Sequence, residues 1–258
     1  MVRLLLLVSF SILASCKSDN ERCLAFASSD GWSSDETPID GTDWAFSFSS
    51  ILGLEHGQTP VELCTLLHDF EVEMTYEQVD FDDRLQGLIA PRKLTFDGEA
   101  AWLGSGDTAE TSVSTFFSAP PSGSQMHWFS VSYVFDAPDG QPQLRNVVDN
   151  AIRLFGPASV SSTQTQGRKR YLWAFDEGTL LTDIPAEGCA MDQLSLTDLE
   201  AVKAIENPCD GFIDLRVFHL EDDAKSVESI ILQVEDRKRF AQSALIDDSA
   251  AAELSGSR

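Results

Sequence analysis

Between Leu144 and Phe175 the chain reads as a helix, an abrupt stop and a strand, an order that leaves few architectures open. Leu144, Val147, Val148, Ala151, Ile152 and Phe155 recur at helical spacing, while Arg145, Asp149, Asn150 and Arg153 lie mostly opposite. Asp139-Gly140 turns the chain into this helix, Gly156 suits a left-handed helix end, and Pro157 prevents continuation. After a polar linker, Arg170 to Phe175 reads as a strand carrying Trp173. A helix with one apolar stripe must bury it, and strands close by in sequence supply the surface.

The same arrangement is legible earlier and later. Trp44 to Ser49 alternates apolar with small residues and predicts an entering strand. Thr59 is a predicted N-cap, Pro60 takes the first helical position, and Glu62 closes a capping box. Val61, Leu63, Cys64 and Leu67 follow at helical spacing. Arg92 to Phe96 reads as a strand, and Ser112–Ser118 with Met126–Phe135 reads as a hairpin. In its second strand Phe129, Val131, Tyr133 and Phe135 share one face, opposite Trp128, Ser130 and Ser132. A last hairpin joins Phe212–Leu220 to Val227–Val234, with Ile213, Leu215 and Val217 on one face and Ile230, Leu232 and Val234 on another. Asp236 to Phe240 opens a terminal helix.

These patterns predict an α+β fold, an antiparallel sheet covered on one face by helices. Gly57-Gln58-Thr59-Pro60 and Gly140-Gln141-Pro142-Gln143 each lead into an amphipathic helix, so a duplicated helix-plus-hairpin unit is the preferred architecture. The expected divisions are a signal at 1–15, a tether at 16–43, αβ units at 44–136 and 137–246, and a disordered tail at 247–258.

The N-terminus bears on location. Arg3 precedes an apolar run from Leu4 to Leu13 that is too short to span a bilayer and suited to an export signal. Its end, Leu13-Ala14-Ser15-Cys16, resembles the lipobox of exported bacterial lipoproteins. The resemblance implies that Cys16 carries the lipid as first mature residue, anchoring the protein to a membrane in the cell envelope, facing the periplasm. Removing Arg3 with the signal takes the formal charge from −24 to −25. By analogy with enteric bacteria, Lys17 after the cysteine favours the outer membrane over the inner. The Ser-, Asp- and Gly-rich stretch that follows reads as a flexible tether.

Five cysteines are present, and setting Cys16 aside for lipid leaves Cys23, Cys64, Cys189 and Cys209, an even number suited to two disulfides in an oxidising compartment. Three pairings are open. The favoured one joins Cys189 to Cys209 around a short helix capped at Thr197, and Cys23 to Cys64 between tether and first helix. No CxxC spacing suggests a metal site.

Charge excludes one class of partner. With 42 acidic against 18 basic residues and a pI near 4.3, the surface repels polyphosphates, so no nucleic-acid partner is expected. Arg168-Lys169-Arg170 is too short a basic run to change that. The chain has no GxSxG elbow, HExxH motif or phosphate-cradling glycine loop, and no cofactor is expected. Asp80-Phe81-Asp82-Asp83 clusters oxygen ligands but has neither the glycine nor the distal glutamate of a calcium loop. His56, His68, His127 and His219 read as surface or strand-end residues.

The Gly57-to-Glu62 segment resembles a helix-start motif of exported lipoproteins, Gly-Met-Thr/Ser followed by Glu, with Gln58 in the place of Met. That motif occurs in the small lipoprotein of the β-barrel assembly machinery and in folds like the β-lactamase inhibitor protein. Leu154-Phe155-Gly156-Pro157, followed by the Trp173 strand, is similar to the Lys-Tyr-Gly-x-Pro element of uncharacterised secreted αβ proteins. The resemblance implies a non-catalytic envelope lipoprotein that binds another protein or supports assembly. The alternative it raises is an inhibitor or immunity-type protein against an envelope-acting hydrolase, whose basic surface the acidic body would complement.

Overall fold

A computed structural model describes residues 21–24, 39–75, 93–118, 122–136, 140–164, 167–182, 209–219 and 226–256. Nine strands form one antiparallel sheet: β1 Glu71–Thr75, β2 Lys93–Ala101, β3 Thr108–Phe117, β4 Met126–Val134, β5 Val160–Gln164, β6 Arg168–Asp176, β7 Thr179–Leu180, β8 Gly211–His219 and β9 Val227–Asp236. Among the described residues, the longer helices are α1 Pro60–Leu66, α2 Leu144–Phe155 and α3 Arg237–Gly256. The spatial order is β1-β2-β3-β4-β9-β8-β6-β5, with β7 paired to β6. Each half of the chain therefore supplies a helix and then a run of neighbouring strands. The halves meet where β4 pairs with β9.

The register sorts residues into two faces. Phe96, Val113, Val131, Leu232, Leu215 and Tyr171 make one row across six strands. Leu94, Thr115, Phe129, Val234, Ile213 and Trp173 make the next. Most of these side chains are buried, each apolar one contributing about 1.5–3 kcal/mol. Leu63 and Cys64 of α1, and Val147, Ala151 and Phe155 of α2, belong to the same hydrophobic cluster. The expected core face of β4 is borne out, with Phe129, Val131, Tyr133 and Phe135 all buried.

Local chemistry explains the helix ends. Thr59 caps α1: the Glu62 N–H donates to its Oγ1 (3.4 Å), and Glu62 Oε2 accepts from the Thr59 N–H (2.7 Å). Gly156 ends α2 at φ 79°, and its N–H donates to the Ile152 carbonyl (2.8 Å). Trp173 Nε1 donates to the Gly156 carbonyl (2.9 Å), which ties the helix stop to β6. The stripes are narrower than their spacing predicts: Val61 and Ile152 are exposed.

Two expectations differ from the structure. Trp44 to Ser49 is not a strand but an irregular strap. Its alternation is used for packing: Trp44, Phe46 and Phe48 contact one another at 5.1–5.9 Å, and Trp44 and Phe46 contact Phe175 at 5.2 and 5.4 Å. Residues 247–256, read as tail, continue α3, where Ala250, Ala251 and Ala252 favour helix.

Cys23, on a helical turn at 21–24, is disulfide-bonded to Cys64, the pairing favoured from sequence. Cys209 is also disulfide-bonded. Its expected partner Cys189 lies outside the described residues, as do Cys16, the whole 1–15 signal, the helix capped at Thr197 and Asp80–Asp83.

Candidate binding surface and cavity

The second face of the sheet is polar and half-exposed. Thr95, Ser114, Ser130 and Gln233 form one row, and Asp97, Ser112, Ser132, Ile231, Arg216 and Arg170 form the next. Serines at four central positions keep the surface flat and let it both donate and accept hydrogen bonds. At one side Phe116 and Trp128 meet edge to face at 4.9 Å, with Lys93 Nζ 5.7 Å from the Phe116 ring.

At the other side, Asp214 is buried beneath two arginines. Arg170 Nε and Nη2 donate to its Oδ1 (2.9 Å) and Oδ2 (2.8 Å). Arg216 Nε and Nη2 both donate to Oδ2 (3.0 and 2.8 Å). One carboxylate thus holds two guanidiniums, 23% and 40% exposed, in a fixed pose with one net positive charge. Arg168 adds another, lying over Phe218 at 5.1 Å. Arg168 and Arg170 of the basic run are therefore on this face, while Lys169, opposite Val217, is on the other. Asp97, Glu99 and Glu110 place negative charge across the sheet on β2 and β3.

One end of this face is closed. Arg237, at the start of α3, stacks over Phe212 at 4.7 Å, and its Nε lies 3.5 Å from Glu235 Oε1. Burial pushes the Glu235 carboxyl up and the Arg237 guanidinium down, each partly opposed by the other.

A cavity of about 280 Å³ opens beside the strap, lined by Trp44, Phe46, Phe48, Glu55, His56 and Arg239, among others. Trp44 reaches it because β8 begins with Gly211, where a Cβ would stand 2.7 Å from the indole. Asp236 fixes the floor: its Oδ1 accepts from the N–H groups of Thr42 (3.0 Å) and Arg239 (2.9 Å), and its Oδ2 from Arg239 Nε (3.2 Å). Arg239 also donates to Gln125 Oε1 and to the Ile39 carbonyl (3.3 Å).

Burial holds the His56 imidazole down to about 4, opposed by Asp236 and assisted by Arg239, so the ring is neutral at ordinary pH. His56 is half-buried with both ring nitrogens shielded from solvent, which corrects the surface reading. His127 is buried, its ring 4.7 Å from that of Phe240. His68 is exposed beside Asp69 at 3.2 Å, and His219 sits half-buried at the end of β8.

Among the described residues, no group of three or more His, Cys, Asp or Glu side chains is placed to hold a metal ion. No helix among them is long and apolar enough to cross a membrane. Comparisons with protein-family models, curated proteins and solved structures find no match.

Proposed function

We propose that the protein is a lipid-anchored, non-catalytic envelope protein that docks another envelope protein on the polar face of its sheet. The observation carrying this reading is the face itself: an aromatic pair at Phe116 and Trp128, a serine field, and two arginines held by a buried carboxylate. Trp and Arg are the side chains that most often anchor protein interfaces, and small polar residues around them lose little entropy on contact. Apolar side chains of α1 and α2 join the core cluster, and α3 meets the polar face at Phe212. The lipobox at Leu13–Cys16 supports the anchor, and the acidic body supports reliance on lipid where headgroups are anionic.

A photo-crosslinking residue at Ser130, compared with one at exposed Ile152, tests the docking face in cells. A single protein adduct from Ser130 that weakens in Arg216→Glu and Trp128→Ala variants is expected. Equal adducts from both positions, or none from Ser130, overturn the reading. An adduct that proves to be a basic hydrolase, inhibited on mixing, supports the inhibitor alternative. Absence of a palmitate-analogue label on the wild-type chain, with Cys16→Ala as control, sinks the anchor.

A further inference from the structure

The polar face carries its charges in a fixed order along the rows of the sheet. One row runs Asp97, Ser112, Ser132, Ile231, Arg216, Arg170 from β2 to β6. The next runs Glu99, Glu110, Val134, Ser229, Phe218, Arg168. Each row therefore begins in carboxylate and ends in guanidinium. Asp97, Glu99, Glu110 and Arg168 are exposed, and Arg170 and Arg216 are partly so. Asp214 holds those last two arginines without neutralising both. Both rows lie toward the end of the sheet away from Phe212, where Arg237 closes the face.

That order decides which partner the face fits. A uniformly basic protein would be attracted over β2 and β3 and repelled over β8 and β6, and a uniformly acidic one the reverse. A fitting partner presents base and acid in the opposite order, and this face does so when turned over. Setting β7 aside, four strands stand on each side of the β4–β9 junction. A two-fold axis along the strands at that junction sets β2 over β6, β3 over β8 and β4 over β9 of a second copy. Glu99 then faces Arg168, Asp97 faces Arg170, and Ser130 faces Gln233. Glu110 faces Phe218, over whose ring Arg168 lies. An axis across the strands would instead set carboxylates over carboxylates, so charge selects one symmetry. Sheets packed face to face commonly keep their strands within about 30° of each other, as the first axis requires.

Size sets the strength of such a contact. Six strands about 4.8 Å apart and three rows about 7 Å apart cover roughly 29 by 20 Å, or about 1,200 Å² counting both copies, the lower end for a specific interface. Exposed Val134 and half-buried Ile231 stand beside the axis and give it an apolar centre. The chain has a formal charge of −24, but charges more than about 8 Å apart are largely screened at physiological salt, so the contact itself decides. We propose that the polar face pairs with the same face of a second copy, in a two-fold dimer held by Glu99–Arg168 and Asp97–Arg170 pairs. The inference rests on the docking reading and specifies the partner as a like chain.

Sedimentation of the full chain carrying Cys16→Ala, which has no lipid to drive association, should give a dimer with Kd of roughly 10 μM. Glu99→Arg and Arg168→Glu each set like charges opposite one another in both halves of the contact, and each should weaken it about tenfold. Mixed together, the two variants restore opposite charges at both positions. The mixture should pair as tightly as wild type, which a folding defect in either variant would not allow. Arg145→Glu, at an exposed position on α2, should change nothing. A wild type still monomeric at about 200 μM, single variants that dimerise unchanged, or a mixture that stays monomeric overturns the proposal. If the purified chain is monomeric and Ser130 crosslinks to a different protein in cells, the second copy is ruled out and the docking reading stands. No Ser130 adduct at all removes both.

Discussion

His56 shows what burying an ionisable ring costs. Its imidazole takes a proton near pH 6.5 when exposed and near 4 in the fold, because burial disfavours the charged ring. Between those values the unfolded chain binds more protons than the folded one, so stability rises with pH across the window and is complete above it. Acidification from pH 6.5 to 4 should therefore cost the wild type about 2–3 kcal/mol more than His56→Phe, in which Asp236 and Arg239 face a ring that cannot titrate. Urea unfolding of both proteins across that range measures the difference, and parallel pH profiles would show that His56 is not the titrating group. The residue itself was plain in the sequence and its setting was not. Glu55, Gly57 and Gln58 flank it with polar and small groups, while the rings that bury it come from residues 44, 48 and 129.

At the scale of elements, capping and alternation carried most of the reading. Thr59-Pro60-x-Glu62 specifies its helix through neighbours three residues apart, so sequence alone sufficed. The strap at Trp44–Ser49 defeated the same approach, since alternating rings serve a strand and an aromatic cluster equally well. What decides is whether the backbone finds a ladder partner, and that depends on distant residues. The tight turn between β6 and β7 is another case: Glu177 and Gly178 both have positive φ, 46° and 74°, the signature of a type I′ hairpin. Glutamate is poorly suited to that conformation and asparagine is favoured there. Glu177→Asn should stabilise the protein by about 0.5 kcal/mol, seen as a higher urea midpoint with unchanged m-value. A lower midpoint would mean that the Glu177 side chain makes a compensating contact.

The whole molecule is held by connections that local pattern does not announce. The Cys23–Cys64 bond closes a loop with a sequence separation of 41, worth about 4 kcal/mol in the unfolded chain by loop entropy. Cys64→Ser should lower stability by up to that amount, and with a reducing agent, which also opens the bond at Cys209, wild type and variant should converge. If reduction leaves the wild-type midpoint in place, the entropic account fails. Cysteine parity suggested two bonds, and the ease of joining the sequence neighbours Cys189 and Cys209 left this pair. The pairing of β4 with β9 was out of reach, since period-two alternation tells which face of a strand is buried but not which strand lies beside it.

That central pairing has a consequence in time. The strand at 126–134 is finished long before its neighbour at 227–236, which follows about a hundred residues later. At ~5–20 residues per second, β4 waits several seconds with one edge unpaired and apolar residues exposed. The middle of the sheet is the last part of it to be made. A nascent chain of this design therefore passes through its most adhesive state midway through production, and its yield should depend on what escorts that half-built edge rather than on the strength of the finished fold.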